Sequence, residues 1–332
     1  MNSPVKRVFP LGFPWETQDP FLFCVYHLDH YPKGNNAMEP AVSLEGRNLG
    51  NDFKIKDGWR MYHGHTIPGF PYHPHRGFET VTIVNKGFCD HSDSLGAAGR
   101  FGQGDVQWMT AGRGVQHSEM FPLLNTDRDN PLELFQIWIN LPKADKFVEP
   151  HFKMLWHEDI PLVKINNTTI KIIAGNFEGT PALEPAPNSW AANTDHEVAI
   201  WNIHMDENEK FILPPASANL NRTLYYYEGD EVTIGEQIIK PNHGVELSSD
   251  AEITLENGSK KSHFLLLQGK PINEPVAKYG PFVMNTQLEI QQAMEEYRLT
   301  QFGGWPWPHA DNVHPREKGR FAKYPNGEIV ER

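Results

Sequence analysis

Short runs of β-branched and aromatic residues recur along most of this 332-residue chain, each stopped within a few positions by Gly, Pro or Asn. Thr80-Val81-Thr82-Ile83-Val84 is β-branched throughout, and Leu132 to Leu141 carries Leu134, Ile137 and Ile139. Further runs are Ile170–Ala174, Val198–Ile203, Thr223–Tyr227, Glu231–Ile234 and Phe264–Leu267. A strand is complete in about five or six residues, whereas a helix needs an unbroken 3.6-residue period over two turns or more. With 27 Gly and 27 Pro, the chain is broken too often for many helices. The pattern predicts an all-β fold built of sandwiches or barrels. Asn257-Gly258, between Ile253–Leu255 and His263–Leu267, predicts a hairpin turn. One helix is expected over Asn285–Tyr297, with Thr286 as a cap and Leu288, Ile290, Ala293, Met294 and Tyr297 at near-helical spacing, lying outside a barrel.

The length suits two domains. The strand-rich halves are separated by a loop-rich stretch, Asn176 to Asn193, and the boundary is expected between 145 and 190. This divides the chain into residues 1–150, 151–302 and an extended tail over 303–332, Trp-Pro rich and then charged. The Trp305-Pro306-Trp307-Pro308 run is expected to lie against its own protein or a partner subunit. A formal net charge of −12, with no basic run longer than Lys260-Lys261, argues against direct nucleic-acid binding. Two cysteines, Cys24 and Cys89, make neither a disulfide framework nor a metal knuckle, and are expected as free thiols in a reducing cytoplasm. Pro10, Pro14 and Glu16 interrupt any signal-like apolar core, and no stretch has the ~18 apolar residues of a membrane span.

The chemistry concentrates in two segments. One runs from Phe70 through His73-Pro74-His75 to Thr82; the other runs from Gly104 to Glu119 and ends Gln116-His117-Ser118-Glu119. Residues two apart on a strand face the same way, so His73 with His75, and His117 with Glu119, can aim four donors at one interior point. Three imidazoles and a carboxylate make a site suited to Fe(II), Mn, Ni, Co or Cu(II). A six-coordinate metal held by four protein donors keeps two positions for water, O2 or a chelating substrate. His63-Gly64-His65 is a rival pair.

HPHRGFETVT together with GDVQWMTAGRGVQHSE closely resembles the signature of the pirin family within the cupins. Tyr279 to Thr286, followed by Glu289-Ile290 and Gln292-Ala293, resembles the start of the pirin C-terminal helix. The likeness extends over roughly residues 20 to 300. It implies a bicupin, two jelly-roll-like barrels in tandem, with one iron in the N-terminal barrel held by His73, His75, His117 and Glu119. The usual cupin glutamate position is that of Glu79; in pirins its role looks to have passed to the position of Glu119. Glu79 is then expected to support the ligands from behind, by accepting an imidazole N–H.

The second half departs from this pattern. Fourteen residues separate His73 from Gly87, and the same count back from Gly229 reaches Pro215, with Ser217 in place of His75. The second barrel is therefore expected to be metal-free. The resemblance implies either a dioxygenase of the quercetin 2,3-dioxygenase type, opening the central ring of a flavonol with O2 and releasing carbon monoxide, or a metal- and redox-dependent regulator that binds transcription factors or other proteins. In the first case Glu119 is the candidate base for the substrate hydroxyl.

Overall fold

A computed structural model of the chain describes residues 3–332, and its strands follow the periodicity closely. The Thr80–Val84 run lies inside a strand over Phe78–Lys86, Ile170–Ala174 inside Thr168–Ala174, Thr223–Tyr227 inside Asn221–Glu228, and Phe264–Leu267 inside Ser262–Gly269. Two compact units result. One comprises the chain up to Val25, Ile137–Pro142 and Glu158–Asn273; the other comprises Tyr26–Gln136, Lys143–His157 and Glu274–Arg332.

In the first unit a seven-stranded antiparallel sheet and a four-stranded sheet share one apolar core. Trp201, Leu224, Tyr226, Phe264 and Leu266 come from the larger sheet, and Phe211, Leu213, Val232 and Leu255 from the smaller, all nearly fully buried. The N-terminal strand, Val5–Pro10, joins this unit by pairing with His243–Leu247. The expected hairpin at Asn257-Gly258 does not form. Ile253–Asn257 pairs with Lys210–Leu213 and Val232–Ile234, whereas Ser262–Gly269 pairs with Ala199–Met205 and Asn221–Glu228, so the chain steps from one sheet to the other. The reason is Asn257 itself. Its amide donates to the carbonyls of Asp206 (2.7 Å) and Lys260 (2.8 Å), and its oxygen accepts from the Ser262 hydroxyl (2.6 Å). A side chain buried in such bonds serves as a corner, not as the exposed tip of a two-residue turn.

The second unit pairs a six-stranded sheet with a five-stranded one. Val84, Cys89, Phe101, Leu134 and Phe152 lie in its core. The helix occupies Gln287–Thr300, two residues later at its start than the periodicity predicts. Thr286 caps it in a reciprocal box: its hydroxyl accepts from the Glu289 N–H, and the Glu289 carboxylate accepts from the N–H of Thr286 (2.9 Å) and of Asn285 (3.0 Å). Ile290 and Ala293 are buried, while Leu288 and Met294 are exposed, so the apolar stripe is narrower than the spacing implied. No helix among the described residues is long and apolar enough to cross a membrane.

The tail, expected as an extended arm, contributes regular structure. Phe321–Lys323 extends the six-stranded sheet by pairing with Ala98–Gly102, and Ile329–Glu331 pairs with it in turn. The buried guanidinium of Arg100 organises the approach. It forms two bonds to Asp90 (2.7 and 2.8 Å) and donates to the carbonyls of His314 (2.9 Å) and Lys318 (2.7 Å). Trp305 stacks on Tyr72 at 5.1 Å, and the Trp307 indole donates to the Asp93 carbonyl (2.8 Å), so the Trp-Pro run lies against its own unit.

The corner leaving the Gly69–His75 strand is closed by Gly77, at φ +85°, where a Cβ would stand 2.0 Å from the Val283 carbonyl oxygen. Gly77→Ala should therefore cost about 2–3 kcal/mol, from left-handed backbone plus a clash with main chain. Gly96→Ala, at φ +84° with nothing within 4 Å, isolates the backbone part. Thermal denaturation of both variants checks this; equal losses would show that the Val283 carbonyl yields.

Candidate metal centre

The Gly69–His75 and Val115–Met120 strands are antiparallel neighbours, with His73 directly opposite His117 and His75 opposite Val115. A register irregularity between Phe70 and His73 turns the histidine end of its strand. The three imidazoles converge. Nε2 of His117 lies 3.0 Å from Nε2 of His75 and 3.1 Å from Nε2 of His73, with ring centroids 4.6–4.8 Å apart. His73 Nδ1–H donates to the Pro71 carbonyl (2.9 Å), which leaves a lone pair on Nε2.

Burial sets the protonation state. It pushes His73 down to about 4, and pushes His75 and His117 well below the ordinary imidazole range, with the neighbouring imidazoles adding to the shift. At neutral pH all three are uncharged. Three neutral imidazoles with convergent ring nitrogens form a group able to bind a metal ion, and the donor set fits a divalent transition metal.

Glu119 is two residues beyond His117 and stands slightly back, its Oε2 3.7 Å from His117 Nε2. Oε1 accepts from the Thr82 hydroxyl (3.0 Å) and Oε2 from the Gln136 amide. Burial raises its pKa above the usual carboxylate range, and those two hydrogen bonds oppose the rise. Glu79, on the Phe78–Lys86 strand, accepts from the Thr110 hydroxyl (2.7 Å) and the Trp108 indole (3.2 Å). Sequence reasoning missed Gln136, Thr82 and the His91–Asp93 pair. His91 stands opposite Glu119 and Asp93 opposite His117 on the Phe88–Asp93 strand, and His91 Nε2 lies 3.1 Å from the Asp93 carboxylate. The His-x-Asp spacing was a usable signal, because it repeats the two-residue period of the recognised pairs. Gln136 carried none, since no local spacing shows that the next strand along the chain brings it to Glu119.

The rival pair lies outside this cluster. His63 and His65 are exposed, and the His63 ring is held by the Gly50 carbonyl (2.7 Å) against Phe53. The buried thiol of Cys89 is pushed well above its ordinary pKa, by burial and by the Glu119 and Asp90 carboxylates.

Two antiparallel β-barrels in one chain, one of them enclosing three convergent imidazoles, define a bicupin with a cupin-type metal pocket. The pirin family model matches residues 35–139, and the model for the pirin C-terminal cupin domain matches residues 200–303. Human pirin is 36% identical over 241 residues, 71% of this chain and 78% of its own. A pirin-like protein of Solanum lycopersicum is 38% identical over 240 residues, 71% of this chain and 77% of its own. The chain belongs to the pirin family. Among solved structures, a quercetin 2,3-dioxygenase from Acinetobacter baumannii superposes with a TM-score of 0.70 at 26% identity, covering 91% of this chain and 96% of that one.

His63→Ala should leave the metal content of the purified protein nearly unchanged, and His73→Ala should strip most of it. Elemental analysis of both variants reads the outcome. A loss in His63→Ala equal to that in His73→Ala would mean that the exposed pair contributes a ligand.

Proposed function

We propose that this pirin holds one divalent metal, Fe(II), on His73, His75, His117 and Glu119, and acts as a dioxygenase of the quercetin 2,3-dioxygenase type on a flavonol-like substrate and O2. The observation that carries the reading is the convergence of three uncharged imidazole nitrogens beside a buried carboxylate. The likeness to the Acinetobacter enzyme supports the reaction class. Two buried cysteines without disulfides support a reducing, cytoplasmic setting.

A bound Fe(II) would supply Lewis acidity toward the substrate hydroxyl and a redox-active centre for O2. The chain's own groups do the rest. Glu119 accepts the proton of the flavonol 3-hydroxyl at a carboxylate oxygen. Thr82 and Gln136 hold that carboxylate in place, and its desolvation raises its proton affinity toward the neutral range a general base needs. The Pro71 carbonyl fixes His73 in the tautomer with Nε2 bare.

Iron-loaded protein mixed with quercetin should bleach the flavonol absorption band and consume O2 together. In Glu119→Gln, metal affinity should fall at least roughly 10- to 100-fold, the range seen when only an outer partner is lost. Turnover per bound Fe(II) at metal saturation should fall further, because the proton acceptor is gone. Equal turnover per metal would remove Glu119 as the base. A fully loaded wild type that leaves quercetin intact would remove the dioxygenase reading, in favour of a metal-dependent protein-binding role.

A further inference from the structure

The first unit, which lacks the histidine pairs, contains a cavity of about 650 Å³, within the range of small-molecule sites. Pro214, Pro215 and Ala216 line it, the stretch that corresponds by internal count to the histidine segment of the other barrel. Arg222 lines it too, although only 2% of its surface is exposed. Nε donates to Gln268 Oε1 (2.6 Å) and Nη1 to the Pro214 carbonyl (2.9 Å). Both acceptors are neutral, and Arg222 forms no ion pair among the described residues. Burial draws its pKa down to about 10, against the attraction of the Glu197 carboxylate, so it stays cationic at neutral pH. A buried cation with no carboxylate in ion-pair contact is costly, and a bound anion would offset that cost.

Register places a second donor beside it. Arg222, Gln268 and Ala199 form one row across three adjacent strands, and Leu224, Leu266 and Trp201 form the next row on the same face. Trp201 is 3% exposed, lines the cavity, and its indole N–H has no acceptor among the described residues. An unsatisfied indole donor in a core is unfavourable, and a ligand oxygen would satisfy it. Ala182, Leu183 and Val198 supply apolar wall. Glu178, Glu184 and Glu197 also line the cavity, and their negative charge opposes a highly charged anion.

We propose that this cavity binds a small organic monocarboxylate, its oxygens on the Arg222 fork and the Trp201 indole and its apolar body against the aliphatic wall. The fork matches a planar carboxylate, and the lining glutamates select a single negative charge over a phosphate dianion. The site is independent of the metal centre and of the reaction proposed there.

Benzoate titrated calorimetrically into the full-length, metal-loaded protein tests it, with inorganic phosphate as the comparison. Benzoate should saturate one site more tightly than phosphate, and should shift the Trp201 indole resonance, assigned with Trp201→Phe. Arg222→Gln should weaken benzoate at least about tenfold, the loss of one charged hydrogen-bonding partner. Ala192→Trp, which fills the cavity from an exposed wall position, should block binding without touching Arg222, and carries the test if Arg222→Gln does not fold. His73→Ala should leave benzoate binding intact. The proposal is overturned by no saturable binding, by phosphate binding as tightly, by unchanged binding in Ala192→Trp, or by binding that persists in Arg222→Gln and vanishes in His73→Ala.

Discussion

The cross-strand register that sets His73 opposite His117 is the constraint on which the metal pocket depends. Side chains alternate along a strand, so a slip of one residue would turn His73 and His75 out of the barrel and leave His117 and Glu119 facing nothing. Several contacts hold that register from outside the two strands. Gly77 lets the chain turn under the Val283 carbonyl, and Arg76, buried beside it, pairs with Glu296 of the helix at 2.8 Å. Gln116, next to His117, receives the Tyr297 hydroxyl (2.8 Å) and donates to the carbonyl of Gln301 (2.6 Å). The helix and the turn after it thus act as a brace on the histidine strands.

The pocket concentrates groups that would otherwise be unfavourable in a core. Three imidazoles kept neutral by burial bring nitrogens within about 3 Å of one another, and a carboxylate is desolvated at their edge. Polar support is arranged in rows: Pro71 behind His73, Thr82 and Gln136 on Glu119, and Asp93 with His91 on the adjoining strand. Such a set is unfavourable without a cation and well matched to one.

The other barrel shows what the same architecture does when the paired donors are absent. By count along the chain Pro215 and Ser217 correspond to the histidine pair, and Pro215 lines a cavity that has a buried guanidinium and an indole on the core face of the sheet. One fold thereby presents two different interiors: three convergent imidazoles in one barrel, and in the other a cavity lined by one buried guanidinium, an indole and three glutamates.

Much of this was legible along the chain, because it depends on local period. Two-residue alternation and Gly-Pro punctuation determined an all-β fold, and the His73/His75 and His117/Glu119 spacings marked three imidazoles that converge and a carboxylate that stands beside them. Thr286 marked where the helix begins, and the structure adds Glu289 as the second half of the capping box. What tertiary structure decided involves partners distant in sequence. The N-terminal strand pairs with residues some 240 positions away, and Arg100 draws the tail onto its sheet edge. The Asn-Gly pair at 257–258 reads as a hairpin locally, and becomes a crossing between sheets only because carbonyls at 206 and 260 capture the Asn257 amide. Nothing local to Arg222 marks it as buried; the folded sheet places it against a cavity. Local spacing specifies which face a side chain takes; burial, register and the identity of remote partners exist only once the strands have met.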